Sequence, residues 1–310
     1  MTRVVFMGTP DFSVPVLETL VIEGYQVVGV VTQPDRPVGR KRILTPTSVK
    51  AKALDLGIPV FQPEKIKEDY QQVLEWQPDL IITAAFGQII PKILLDFPKL
   101  GCINVHASLL PKYRGGAPIH KAIINGEKET GVTIMYMDVK MDTGDMISKV
   151  VVPIDENDHT GSMFEKLSVA GAKLLADTLP EIISGKIKAT PQNHEEATFA
   201  WNIKRENEQI NWDQPSRTVY NQIRGLHPWP VAFTTLEKMS VKIWWATPSA
   251  QEYEAEPGTI VALEKDGIIV VCGDRKGIKI TDVQFAGKKR MDVTSVLNGT
   301  HPLAVGKKFN

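Results

Sequence analysis

The sequence predicts an α/β protein in two parts: a doubly wound, Rossmann-like domain on a parallel sheet, followed by a smaller OB-like β-barrel. Three observations carry this reading. Over about the first 180 residues, continuous apolar runs alternate with stretches of helical spacing, the pattern of a parallel sheet covered on both faces. Near Gly185 the chain turns polar and weakly periodic. Beyond residue 207, short β-rich runs follow one another between Gly, Pro and Asp turns, as in a small barrel. The expected boundaries are 1–187 for the first domain, 188–206 for a linker and 207–310 for the second.

Each element has its own warrant. Residues 3–8 form an apolar strand closed by Gly8-Thr9-Pro10, and residues 11–23 have helical spacing at Val14, Leu17, Leu20 and Val21. Residues 26–32 (QVVGVVT) are a second buried run. A helix at 48–56, a short strand at 59–61 and a helical piece at 70–76 follow. Residues 79–85 and 102–106 are strands, 130–137 and 146–154 extend the sheet, and 162–183 is a long amphipathic helix. In the second domain, strands are expected at 232–236, 241–246, 258–263, 267–272 and 277–285.

Composition narrows the function. At 310 residues and 43% apolar content, two cores are affordable. No apolar run reaches the ~18 residues of a membrane span, and residues 1–8 enter a strand directly, leaving no room for a signal or transit peptide. Cys102 and Cys272 are the only cysteines, which excludes a disulfide framework and suits a reducing cytoplasm. The 36 basic and 36 acidic residues cancel, arguing against an indiscriminate nucleic-acid binder while leaving room for a local basic patch. Nothing calls for more than a monomer.

The chemistry gathers at "GCINVHASLLPKYRGGAPI", residues 101–119. Strand side chains alternate faces, so Asn104 and His106 point one way and Ile103 and Val105 the other. An amide and an imidazole thus end a parallel strand, where open α/β sheets place their sites. Downstream, "MDTGDMI" (141–147) is a glycine turn flanked by Asp142 and Asp145. Amide, imidazole and carboxylate in one crevice make an acyl-transfer set: the amide donates to an oxyanion, the imidazole moves protons, and the carboxylate orients it. Polar strand residues and Asp-Gly turns also occur with no catalytic role. Cys102 is a poor nucleophile candidate, since buried cysteines are usually inert. His106, His120, Asp142 and Asp145 lack metal-ligand spacing. A single glycine in Gly8-Thr9-Pro10 disfavours a dinucleotide cofactor, and that turn is expected to line the site instead.

Beyond these features, "FMGTPDFSVPVLETL", "VVTQPDRPVGRKRILTPTSVKAKA", the block from residue 101 to 147, "HPWPVAFT" and "FAGKKRM" closely resemble the folate-dependent formyltransferases, in order and over essentially the whole chain. The residue 8–12 turn, the basic loop and the later motifs narrow the resemblance to the members that modify tRNA. It implies transfer of formyl from 10-formyltetrahydrofolate to the α-amino group of methionine on initiator tRNA, for translation initiation, without a metal. It places catalysis on Asn104, His106 and Asp142, and folate contact on Ser108, Leu109, Leu110 and Pro111. Residues 35–52 hold Arg36, Arg40, Lys41, Arg42, Lys50 and Lys52 against one acid. Read with a tRNA substrate, Arg40, Lys41 and Arg42 would meet its acceptor end, and Lys288, Lys289 and Arg290 its phosphates. Formyltransferases of amino-sugar nucleotides share the two-domain layout and are the nearer alternative. The short phosphoribosylglycinamide enzyme would leave residues 204–310 unexplained.

Overall fold

The structure, a computed structural model, describes residues 1–39 and 41–310. Arg40, one of the residues expected to meet tRNA, lies outside the described residues. The chain forms two compact units, one of residues 1–118, 129–153 and 164–201, the other of 119–128, 154–163 and 202–310.

The first unit begins with β1 (Arg3–Gly8), α1 (Val14–Ile22) and β2 (Gln26–Val31). A small hairpin of β3 (Arg36–Val38) and β4 (Ile43–Thr45) follows, then α2 (Ser48–Asp55) and β5 (Val60–Phe61). The chain continues through α3 (Gln71–Glu75), β6 (Leu80–Ala84), α4 (Lys92–Asp96) and β7 (Cys102–His106). After α5 (Pro118–Ile124) come β8 (Glu129–Tyr136), β9 (Met146–Pro153) and α6 (Thr160–Ile183).

These strands make a seven-stranded sheet in the order β5-β2-β1-β6-β7-β8-β9. The strand order reverses between β1 and β6, which creates the crevice where doubly wound sheets take ligands. The run from β5 to β7 is parallel, as the apolar strands predict. β8 and β9 differ, pairing antiparallel with β7 and with each other. Connection length accounts for the β8–β9 pairing: only residues 137–145 join these strands, too few for the crossover a parallel pair needs. The sheet is covered on both sides. Val5, Met7, Ile81 and Cys102 pack with Val73 of α3 and Leu94 of α4, while Gly171 of α6 abuts Val105 and Val132 on the opposite face.

The second unit contains α7 (Arg205–Glu208) and α8 (Ser216–Gly225), then β10 (Phe233–Leu236), β11 (Met239–Glu252), β12 (Ile260–Glu264), β13 (Gly267–Val271) and β14 (Lys276–Phe285). β15 (Met291–Asp292) and α9 (Val293–Leu297) complete it. The antiparallel sheet runs β10-β11-β14-β13-β12, with β15 on β14. Residues 307–310 join its two outer strands. Asn310 and Thr235 exchange backbone hydrogen bonds of 2.9 and 3.0 Å, while Phe309 N–H donates to Gly258 and Ile260 N–H to Lys307. The core inside contains Val219, Tyr220 and Ile223 of α8 against Val241, Ile268, Val270, Ile280 and Phe309.

Helices α4, α5, α7, α8 and α9 were not anticipated from the sequence, and the basic loop contains the β3–β4 hairpin. Among the described residues, no helix is long and apolar enough to cross a membrane, and no cluster of His, Cys, Asp and Glu could hold a metal ion.

Candidate active site

Strand alternation along β7 sorts its side chains onto two faces. On β7, Ile103 and Val105 are buried at 0% and 1% exposure, and Asn104 and His106 take the other face. Register puts Asn104 beside Thr83 of β6, whose hydroxyl donates to Asn104 Oδ1 at 2.8 Å. With its oxygen engaged, the amide has Nδ2–H left to offer a ligand.

His106 is buried, and its Nε2 lies 3.1 Å from the Tyr113 carbonyl oxygen. A carbonyl only accepts, so Nε2 carries the hydrogen and Nδ1 is the nitrogen that can take up a proton. That Nδ1 sits 3.8 Å from Asp142 Oδ1. The gap is too long for a direct hydrogen bond, yet it leaves the carboxylate in place to pair with an imidazolium.

Asp142 reaches this position by a constrained turn. Its φ is +52°, a left-handed conformation that Asp tolerates better than most residues. Two residues on, a Cβ at Gly144 would stand 1.9 Å from the Tyr136 carbonyl oxygen, so only glycine lets the turn pass. Gly115 N–H donates to Asp142 Oδ2 at 2.8 Å. From behind, Gln192 Nε2 donates to the carbonyl oxygens of Asp142 and Gly144, both at 2.8 Å. Gln192 Oε1 accepts in turn from Arg114 Nε at 3.1 Å and Nη2 at 2.6 Å. Arg114 and Gln192 are both buried. Burial lowers the Arg114 pKa, opposed by the Asp142 carboxylate, and an arginine stays charged regardless. A fixed positive charge therefore lies behind the carboxylate.

The 108–111 segment is equally tied. Thr133 Oγ1 donates to the Ser108 carbonyl at 2.7 Å and accepts from Leu110 N–H at 3.2 Å. Ser108 Oγ donates to the Lys112 carbonyl, and Lys149 Nζ donates to the Leu110 carbonyl. Burial lowers the Lys149 pKa, with Glu196 opposing. Ser108 and Leu110 are buried, whereas Leu109 and Pro111 keep part of their surface outward. The loop thus presents a tied-down backbone and two partly exposed apolar side chains, Leu109 and Pro111. Residues 8–10 are fastened across the crevice, Thr9 Oγ1 donating to the Phe86 carbonyl at 2.9 Å.

The basic residues divide. Arg36 pairs with Glu64, Lys50 with Asp35 and Lys52 with Glu18. Lys41 and Arg42 are exposed on the hairpin turn and carry no ion pair among the described residues. In the second unit, Lys288 and Lys289 are exposed, while Arg290 grips Asp282 and lies over the Trp244 ring at 4.5 Å. Cys102 donates to the Leu94 carbonyl, and burial pushes its pKa up to about 12, so it is no nucleophile at neutral pH.

Sequence reasoning missed Thr83, Tyr113, Arg114, Thr133, Lys149 and Gln192. Tyr113 and Arg114 lie within the quoted central stretch, but Gln192 falls in the polar run expected to be a linker. Its role comes from long-range contacts that leave no periodic trace.

Residues 2–179 match the formyl transferase family model, and residues 202–301 match that of the formyl transferase C-terminal domain. The methionyl-tRNA formyltransferase of Lysinibacillus sphaericus is 59% identical over 312 residues, covering 100% of both chains. That of Bacillus subtilis is 60% identical over 303 residues, covering 97% of this chain and 96% of the other. Among solved structures, an N-formyltransferase from Helicobacter canadensis, in complex with folinic acid and dTDP-3-aminofucose, matches with a TM-score of 0.68 at 22% identity, covering 90% of this chain and 99% of the other. HypX from Aquifex aeolicus, in complex with tetrahydrofolic acid, matches with a TM-score of 0.65 at 19% identity, covering 95% and 46%. At these identities the two structures speak for the fold.

Proposed function

The chain belongs to the methionyl-tRNA formyltransferase family, and from that premise we propose that it moves the formyl group of 10-formyltetrahydrofolate to the α-amino group of methionyl initiator tRNA. The reaction makes a bond from the amine nitrogen to the formyl carbon and breaks the bond from that carbon to N10 of the folate. One proton leaves the amine and one arrives at N10.

Asn104 Nδ2–H donates to the formyl oxygen as negative charge develops there; one such donor is typically worth about 3–4 kcal/mol. His106 holds its hydrogen on Nε2 against the Tyr113 carbonyl, so Nδ1 takes the amine proton and passes it on. Asp142, 3.8 Å away, stabilises the imidazolium that this creates. Leu109, Pro111 and the backbone of the 108–111 loop form one wall for the pterin. The single observation that supports the reading is Asp142 Oδ1 standing 3.8 Å from the imidazole of His106, which shares a face of β7 with Asn104, while Gly115 N–H holds the carboxylate at 2.8 Å. Lys41 and Arg42, with Arg40, engage the acceptor end of the tRNA, and Lys288, Lys289 and Arg290 its phosphates.

The test is incubation with 10-formyltetrahydrofolate and methionyl initiator tRNA, with an amino-sugar nucleotide in parallel. Formylmethionine should appear on the tRNA and the sugar should stay unmodified. Formylation of the sugar alone would overturn the reading.

A further inference from the structure

Phe199 and Trp201 stack with ring centroids 5.2 Å apart and planes 6° from parallel. Both are exposed, at 49% and 59%, while Ala200 between them is buried. That is strand alternation with its aromatic face turned to water. The pair stands out beside Trp212, which also stacks, on Phe309, but is only 4% exposed. Two large rings left in water in a preformed stack have a free π-face to offer.

What the pair offers it to follows from its mooring. Phe199 bridges Arg114 in a parallel pairing. Arg114 N–H donates to the Thr198 carbonyl at 2.9 Å, Ala200 N–H to the Arg114 carbonyl at 2.7 Å, and Ala117 N–H to the Ala200 carbonyl at 3.0 Å. Tyr113 N–H donates to Thr198 Oγ1. A Cβ at Gly115 would stand 2.7 Å from the Ala200 carbonyl oxygen, so the two segments approach as closely as backbones can. The residues so zippered are the ones that hold the reacting groups: the Tyr113 carbonyl fixes His106 and Gly115 N–H fixes Asp142. One strand spacing, about 5 Å, separates their backbone from that of the aromatic pair. Along the chain, this anchor lies past Tyr113, away from the 108–111 loop assigned to the folate.

We propose that Phe199 and Trp201 form a stacking platform for the terminal nucleobase at the 3′ end of the aminoacyl-tRNA, the base attached to the ribose that carries the methionyl ester. This deepens the proposed function and rests on it. Stacking suits this role because it holds the base by its face, while its rigid link to residues 113–117 fixes the distance from base to reacting amine. The platform positions the substrate and touches no reacting atom.

Steady-state formylation by Trp201→Ala and Phe199→Ala tests this, with thermal unfolding as the check on folding. The KM for methionyl-tRNA should rise about tenfold, as loss of one base stack predicts, with the folate KM unchanged. Inhibition by the trinucleotide CpCpA should weaken by the same factor, and Trp201→Tyr should restore both. An unchanged tRNA KM in folded variants overturns the platform while leaving the formyltransferase reading intact. A rise in folate KM alone overturns it by giving the rings to the formyl donor. Failure of the unmodified protein to formylate methionyl-tRNA sinks the functional reading, and the platform with it.

Discussion

β7 and β13 are both short, largely apolar strands with a neighbour on each side in their sheets, yet they are used differently. All five residues of β13 are buried, and every side chain on it is a hydrogen or a hydrocarbon. β7 gives two of its five positions to Asn104 and His106, each then held by a neighbour: Thr83 for the amide, the Tyr113 carbonyl for the imidazole. Around β13 the interactions are interchangeable apolar contacts that act together as bulk. Around β7 they are single hydrogen bonds with one geometry each. The comparison teaches that damage in the barrel should appear as lost stability, and damage at the end of β7 as lost rate.

The largest effect sharpens the comparison from the β7 side. Asn104→Ala should lower kcat by about 10²–10³-fold with no shift in the thermal midpoint, measured by single-turnover formylation beside circular dichroism. Near-normal turnover would remove the site from β7. From the barrel side, Ile280→Ala deletes a fully buried side chain and should cost about 2–5 kcal/mol in urea unfolding. Its kcat should stay within a factor of two or so; a large loss of rate would show that the barrel does more than pack.

Gln192→Ala should break the division. It strands the Asp142 and Gly144 carbonyls and takes the shared acceptor from Arg114. Buried polar groups left this way cost about 1–3 kcal/mol, and a loosened Asp142 turn should lower kcat about tenfold. Stability and rate falling together would mark this network as the place where both uses meet. The smallest effect touches neither. Arg42→Ala should raise the KM for tRNA severalfold and reduce its salt dependence by about one counterion, leaving folate affinity as it was.

How much of this was legible follows from the same contrast. The parallel strands could be read because burial on both faces makes continuous apolar runs, and Asn104 and His106 because polar residues interrupt such a run at one parity. Asp142 was legible through its glycine turn. Gln192 was not, since a buried amide surrounded by polar neighbours looks like any loop residue until residues 142, 114 and 192 are seen together. The antiparallel direction of β9 was legible in the short 137–145 connection, whereas that of β8 was not, since residues 107–128 are long enough for either direction. Helix α8 leaves a trace in the sequence, with Val219, Tyr220 and Ile223 on one helical face.

The join made by residues 307–310 bears on how the protein is born. Ile123 and Thr160 belong to the second unit and are translated early, yet Thr160 donates to the carbonyl of Gly225, and Asn310 meets Thr235 across 75 residues. Until the ribosome has delivered the last of these, β10 and β12 offer unpaired backbone to any passing strand. The nascent chain therefore has an interval of vulnerability that lasts until residues 307–310 have been made and can pair with both strands.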